Sequence, residues 1–532
     1  MKSLENKLSG SYYTPDRTVQ FMKNYLHIEH QYYTKILEPS AGDGRFIDAF
    51  CKSDEIEQLT AVELDEKKTT LLREKKYSDK VVIINDDFLD YAFKVQGKFH
   101  LIIGNPPYIN IKNMESSTLE KAKKLCDRFH LPYSMMKNVW VAFLLAAVSC
   151  LRESGVIFLV LPMEFLQVQY AEKIRIFLEE RFNTIHILTF REAMFPQIEQ
   201  EACLVYLTNE NNREPNINFK IYRQLDSQTP FHHSVIQRNK PLKKWTNAIL
   251  SDQDIDVLER MRKRYIRISD ICEASPGIVT GANNEFILNS DEVESLQCGE
   301  YILPIIPKGG MLRGKFILNR EVVKRLGEEN ERIYLLNLSK TDPGLYSEEL
   351  IRYLNTIGEK ENSSGIKLKE RYKCRNRKPW YGVPIVANGD LFFFKRYDKL
   401  PKLCINEADL YTTDIAYNMR LKGYYDKRSA AFCFYNSLTL AQCEYYGRYY
   451  AGGVSELIPS EFKELAIPYK DICEEDILCL DRMFQENAAS MEIIRFVNSR
   501  TIGKDLPLEQ INQLDSIRKR LMDRRITKKE KK

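Results

Sequence analysis

LIIGNPPYIN, residues 101–110, runs from an apolar stretch through one glycine into an asparagine, two prolines and a tyrosine. A sheet interior excludes proline, which has no N–H for the ladder, so a buried strand must end here and become a rigid loop. Open α/β sheets bind their ligands at strand ends of this kind. The stretch therefore predicts a strand whose carboxyl end is a functional lip.

The same rhythm extends on both sides. KILEPSAGDG (35–44), IEQLTAVELD (56–65) and KVVIINDDF (80–88) are β-branched or apolar runs that close in polar or glycine residues. After them come the helical VWVAFLLAAVSCLRE (139–153) and the strand-like SGVIFLVLP (154–162), TIHILTF (184–190) and EACLVYLTN (201–209). Alternating strand and helix signals predict a doubly wound, mostly parallel sheet to about residue 210. A polar connector, NENNREPN (209–216), leads to one more strand-like piece, INFKIYRQL (217–225), and then to a weakly structured stretch reaching Trp245. Domains of residues 1–245, 246–468 and 469–532 are expected: a catalytic α/β domain, a mixed α/β domain and a helical, basic extension.

Composition narrows the class. With 532 residues, 44% hydrophobic and 29% charged, and no long apolar run, the chain reads as a soluble, cytoplasmic protein without a membrane span. The start, MKSLENKLSG, lacks an apolar signal core. Twelve cysteines without any CxxC pair argue against a zinc ribbon, and no metal is expected. A net charge of +5 is slight, but its distribution is not even. In KLKERYKCRNRK (367–378) cations recur at Lys367, Lys369, Arg371, Lys373, Arg375 and Arg377. In an extended segment that period of two puts all six on one face, a candidate phosphate track. The tail IRKRLMDRRITKKEKK (517–532) is also basic.

Acidic residues close successive strands. Glu38 stands before the glycine loop at Ser40 and Gly42, Glu63 ends the second strand, and Asp87, followed by Phe88, ends the third. The loop lacks the third glycine of a dinucleotide fingerprint, since Ile47 stands there, which weakens a nicotinamide or flavin reading. Acids facing one crevice suit a ligand with ribose hydroxyls, an adenine amine and positive charge; S-adenosylmethionine has all three. At the fourth strand end, Asn105 is restricted by the proline after it, and Pro106 and Pro107 offer carbonyls without donors. That lip suits an aromatic amine, received by the Asn105 side chain and the Pro106 carbonyl, with Tyr108 as a stacking ring.

NPPY after EPSAGDG resembles the N6-adenine DNA methyltransferases, and GSYYTPDRTVQFM (10–22) upstream of the glycine loop resembles their gamma, TaqI-like, motif order. The resemblance implies the class I S-adenosylmethionine-dependent methyltransferase fold and a flipped-out adenine in double-stranded DNA. It also implies a partnership with a separate restriction endonuclease and a monomeric enzyme. By the same match Thr14 closes over the methionine part of the cofactor and Phe143 lines its adenine. In AMFPQIEQEACLVYL (193–207), Phe195 stacks on the target base opposite Tyr108. GIVTGANNEFIL (277–288) and GRYYAGGVSELIP (447–459) are similar to pieces of the group's target-recognition domains. N-P-P-Y is shared with enzymes that methylate RNA adenine or a protein glutamine. A non-catalytic DNA-binding specificity protein is a further alternative.

Overall fold

A computed structural model describes residues 13–29, 33–195, 201–209, 214–238, 240–450 and 453–525. The beginning of GSYYTPDRTVQFM, the five residues after Phe195 and the basic end from 526 lie outside the described residues. The chain divides into two compact units, Met1–Ile255 and Asp256–Lys532.

The first unit is built on a nine-stranded sheet. Its strands are β1 (Lys35–Glu38), β2 (Gln58–Glu63), β3 (Val81–Asn85), β4 (Phe99–Gly104), β5 (Leu151–Pro162), β6 (Thr184–Phe190), β7 (Ala202–Thr208), β8 (Asn216–Tyr222) and β9 (His232–Gln237). They lie in the order β3-β2-β1-β4-β5-β7-β6-β8-β9. Pairing is parallel from β3 through β5 and between β6 and β8, while β7 runs antiparallel to β5 and β6, and β9 to β8. The reversal from β1 outward to β2 and back to β4 makes the switch point at which an open sheet leaves a crevice.

Both faces of the central strands are covered. Leu101, Ile103, Val156 and Phe158 share one core with Phe21, Met22 and Tyr25 of helix Asp16–Ile28 and with Phe46 and Ile47 of helix Arg45–Phe50. Ile102, Ile157 and Leu159, which alternate with them, are equally buried. A strand buried on both faces has no polar alternation to show, which is why these runs read as continuous apolar sequence.

The division falls beyond the boundary expected at 245/246. Trp245 is fully buried, its ring edge-on to Phe165, and its indole N–H donates to Glu179 at 2.6 Å. Glu179 also accepts the Leu242 amide, and burial pushes its carboxyl up to about 7. These contacts tie the connector to the first unit.

In the second unit a five-stranded sheet runs in the order Cys272–Pro276, Ala416–Leu421, Leu391–Phe394, Lys402–Asn406, Ile317–Leu318. A four-stranded sheet and two smaller ones accompany it. Helices Glu474–Gln485, Ser490–Arg500 and Leu508–Asp523 follow, and they are not an appendage. Ile477, Leu480, Ile494 and Val497 share a core with Phe393, Tyr435 and Phe462. Helix Leu508–Asp523 packs on helix Ser437–Tyr446, burying Leu514, Ile517 and Leu521.

The basic stretch 367–377 is not extended either. It forms a 3-10 turn, Leu368–Glu370, and a short helix, Tyr372–Arg375, because Leu368 and Cys374 both point into the core. Lys367 and Lys369 pair with Glu359, and Arg377 donates to the carbonyls of Thr280 and Val279. The six cations do not share one face. Among them Lys373 and Arg375 are exposed, both close to the ring of the exposed Tyr372.

Candidate active site

The register of β1 on β4, Leu37 against Ile102, brings Glu38 and Asn105 to adjacent carboxyl ends of the sheet. Gly44 follows with φ +85°, and a Cβ there would stand 2.6 Å from Leu72 Cδ2, so the glycine loop can turn into its helix only without a side chain. The resulting crevice is lined by Tyr13, Thr14, Glu38, Ser40, Gly42 and Asn105, among others. Thr14, distant in sequence, thus closes over the same space as the two strand ends.

Glu38 is the telling residue. It is 2% exposed, and its Oε2 has no hydrogen-bond partner among the described residues. Burial, reinforced by the nearby Asp43 and Glu63 carboxylates, raises its pKa well above the usual range. A buried acceptor without a donor is costly unless a ligand completes it. An ammonium or a hydroxyl would do so, which fits a cofactor of the S-adenosylmethionine type.

Glu63 is held rigidly: its Oε2 accepts the Gly42 amide at 2.7 Å and its Oε1 the Asp65 amide at 2.9 Å. A carboxylate has about four acceptor positions, so each oxygen keeps one for a ribose hydroxyl. Asp87 caps helix Phe88–Lys94 through the Leu89 amide, and its other oxygen accepts from Lys121 Nζ at 2.7 Å. Lys121 also bridges to Asp90 at 2.6 Å. An adenine amine would therefore meet an acid already partnered by a cation. Phe88 is buried, with its ring 5.1 Å from that of Phe143. Phe143 is half-buried in helix Val139–Cys150, whose other members except Ser149 are buried.

At the lip, Ser40 Oγ donates to the Asn105 carbonyl at 3.0 Å, so the residue expected to touch cofactor also fixes the backbone of the Asn-Pro-Pro-Tyr loop. Pro106 is buried and Pro107 half-buried. The Tyr108 ring is half-buried, and its hydroxyl donates to the Val160 carbonyl at 3.1 Å, which sets the ring plane. Burial raises the Tyr108 phenol well above its ordinary pKa, so it stays a donor. Phe195 is placed differently. It is 6% exposed and belongs to the core with Leu204 and Tyr206, so it presents no free ring face here.

Sequence reasoning missed two cations. Arg45 Nη1 donates to the Thr14 carbonyl at 3.0 Å while its Nε donates to Asp43 at 2.8 Å, clasping the Thr14 segment to the glycine loop. Lys121 secures Asp87. Arg45 directly follows the glycine loop and carried a weak signal; Lys121, on a separate helix, carried none. Among the described residues no cluster of His, Cys, Asp and Glu could hold a metal ion, and no helix is long and apolar enough to cross a membrane.

The chain is similar to known proteins over most of its length. Residues 14–195 match the family model described as Eco57I restriction-modification methylase. Residues 242–502 match the C-terminal domain of the Type II methyltransferase M.Eco57I. The chain is 23% identical to the Type II methyltransferase M.AccI of Acinetobacter calcoaceticus, over 72% of this chain and 70% of that one. It is 22% identical to the Type II methyltransferase M.XamI of Xanthomonas campestris pv. amaranthicola, over 86% and 85%. The strand order and the crevice at the β1/β4 switch are those of the class I S-adenosylmethionine-dependent methyltransferase fold. The chain belongs to the DNA methyltransferases of restriction-modification systems.

Proposed function

We propose that the chain transfers a methyl group from S-adenosylmethionine to N6 of an adenine flipped out of double-stranded DNA, as a monomer acting in the cytoplasm beside a separate restriction endonuclease. The observation that carries the reading is the crevice where Glu38, with an unpartnered buried oxygen, meets Asn105 under Thr14. When bound, the cofactor supplies an electrophilic methyl. The chain's residues do the rest. Glu38 receives the ammonium, and Glu63, fixed by two amides, receives the ribose hydroxyls. Ser40 and Gly42 line the cofactor, Asp87 with Lys121 borders the adenine pocket, and Phe88 and Phe143 supply its apolar wall.

An adenine amine is weakly nucleophilic because its lone pair is delocalised into the ring. Two acceptors at the lip, the Asn105 side-chain oxygen and the Pro106 carbonyl, favour a tetrahedral nitrogen whose lone pair is free to attack. Pro107 keeps the lip rigid and adds no competing donor. A base within a duplex cannot reach such a pocket, so it must leave the stack. Stacking on Tyr108 offsets about 1–3 kcal/mol of that cost. Phe195 can take the opposite face of the base only when its side chain leaves the core. Lys373 and Arg375 are the members of the 367–377 stretch that remain exposed for DNA phosphates, since Lys367, Lys369 and Arg377 are engaged within the protein and Arg371 is half-buried.

The test is methylation-sensitive sequencing of DNA from cells expressing the protein. N6-methyladenine in one sequence context is expected. Absence of any new modified adenine, or methylation of RNA or of a protein glutamine instead, overturns the reading.

The Glu38 environment gives a second expectation. Its carboxyl is protonated more readily than usual in the free protein, and an ammonium placed against it favours the ionised form. Binding should therefore release a proton, and affinity should rise with pH through the Glu38 titration. Calorimetry of S-adenosylmethionine binding in buffers of different ionisation enthalpy checks this: the apparent enthalpy varies with buffer in the wild type and ceases to vary in Glu38→Gln. A wild-type enthalpy independent of buffer would contradict it.

A further inference from the structure

Away from the crevice, the second unit carries a groove of about 510 Å³ that no feature of the methyl-transfer site uses. Its floor is the edge strand Cys272–Pro276 and its neighbour Ala416–Leu421, paired antiparallel with Glu273 opposite Arg420 and Ser275 opposite Asn418. Along the neighbour one face runs from Ala416, buried, through Asn418, 3% exposed, to Arg420, exposed. The core ends on that face and a cation begins.

The groove is built rather than incidental. Asn418 Oδ1 accepts from Thr412 Oγ1 at 2.9 Å and its Nδ2 donates to the Ala387 carbonyl at 3.2 Å, which fastens the wall that presents Asn388. Lys422 Nζ donates to the Ser269 carbonyl at 2.7 Å, so its charge is held in place with two N–H groups to spare. Lys463, exposed at the end of helix Pro459–Lys463, lines the groove from a third segment. Among the described residues the Arg420 and Lys463 side chains have no ion-pair or hydrogen-bond partner, and Glu273 is the single acid in the lining. Some other cations of this unit are neutralised at home, as Lys324 and Arg325 are by Glu328 and Glu329.

We infer that this groove is a track for the sugar–phosphate backbone of duplex DNA, contacted by Arg420, Lys422 and Lys463. The inference rests on the reading of the chain as an enzyme that acts on DNA. Three cations drawn from two segments against one acid, in an open groove, match a linear polyanion. Phosphate contacts of this kind position a protein on DNA and make its binding salt-dependent without carrying sequence information. The track lies elsewhere in the chain than Lys373 and Arg375, so the two can be tested separately.

The experiment measures binding of the full chain to a labelled duplex of random sequence across a salt series. Removing one phosphate-binding cation should flatten the slope of log K against log salt by about 0.9. The double variant Arg420→Ala/Lys463→Ala is expected to flatten it by about 1.8, again at about 0.9 per phosphate. Arg420→Lys should keep the wild-type slope, and Lys324→Ala/Arg325→Ala should change it little. A thermal melt that matches the wild type reports that the variants are folded. If the double variant is not, Lys463→Gln alone, at an exposed side chain, carries the test with an expected flattening of about 0.9. A groove variant with the wild-type slope, or a control whose slope flattens as much, overturns the assignment while the DNA reading stands. A wild type that binds no duplex overturns both.

Discussion

Replacing Asn105 with alanine is expected to lower single-turnover methyl transfer to DNA by about a hundred- to a thousandfold, the range for deleting one preorganised hydrogen-bonding group, with cofactor affinity changed little. The expectation follows from how the lip is held. β4 ends at Gly104, Ser40 grips the Asn105 carbonyl, and Tyr108 is anchored to Val160, so the loop keeps its course when the side chain is cut back. The crevice for the cofactor keeps Glu38, Ser40, Gly42 and Thr14. What disappears is the acceptor facing the amine, an interaction that strengthens as the nitrogen becomes tetrahedral. Such a loss falls on the rate of transfer rather than on binding. Rapid-quench transfer from labelled cofactor, with calorimetric cofactor affinity measured on the same preparation, checks both halves. Transfer near the wild-type rate would remove Asn105 from the chemistry; a loss confined to cofactor affinity would make it a cofactor ligand only.

The parts of this site that could be read from sequence are those fixed by strand order. Glu38, Glu63, Asp87 and Asn105 each close an apolar run, and a parallel sheet gathers such ends along one edge. The apolar runs were legible because the central strands are buried on both faces. β9 was not legible: HHSVIQ alternates half-buried and exposed positions at the sheet's edge and reads as a polar connector. Contacts between distant segments were equally silent. Nothing in Arg45 announces that it will hold the Thr14 carbonyl, and nothing in Lys121 that it will share Asp87 with Asp90. The 367–377 stretch misleads for a definite reason. Its charges alternate as on a strand, but the residues that decide its course are the buried Leu368 and Cys374, and Glu359 collects two of its lysines. Phe195 shows the same limit, since an apolar residue before a proline can serve a core as well as a rim.

The largest effect on stability is expected at the far end of the chain, from Arg525→Ala. Arg525 is 5% exposed and grips Glu444, itself 3% exposed, with Nε to Oε2 at 2.8 Å and Nη2 to Oε1 at 2.5 Å. Its Nη1 donates to the Gly453 carbonyl, Arg524 donates to the Glu444 carbonyl, and the Arg525 guanidinium lies 5.4 Å from the centre of the Tyr397 ring. Alanine would leave the Glu444 carboxylate buried without its cation, a change that costs about 3–5 kcal/mol and, in a unit of this size, about 10 °C in Tm. A buried pair contributes little net stability compared with apolar side chains of similar volume, so the double variant Glu444→Leu/Arg525→Met should recover most of the loss. Scanning calorimetry of the two variants separates the penalty of an orphaned charge from that of poorer packing. If both melt equally early, packing around the guanidinium is what matters. If Arg525→Ala melts with the wild type, the end of the last described helix is a surface attachment and the packing of the earlier helices holds this unit together without it.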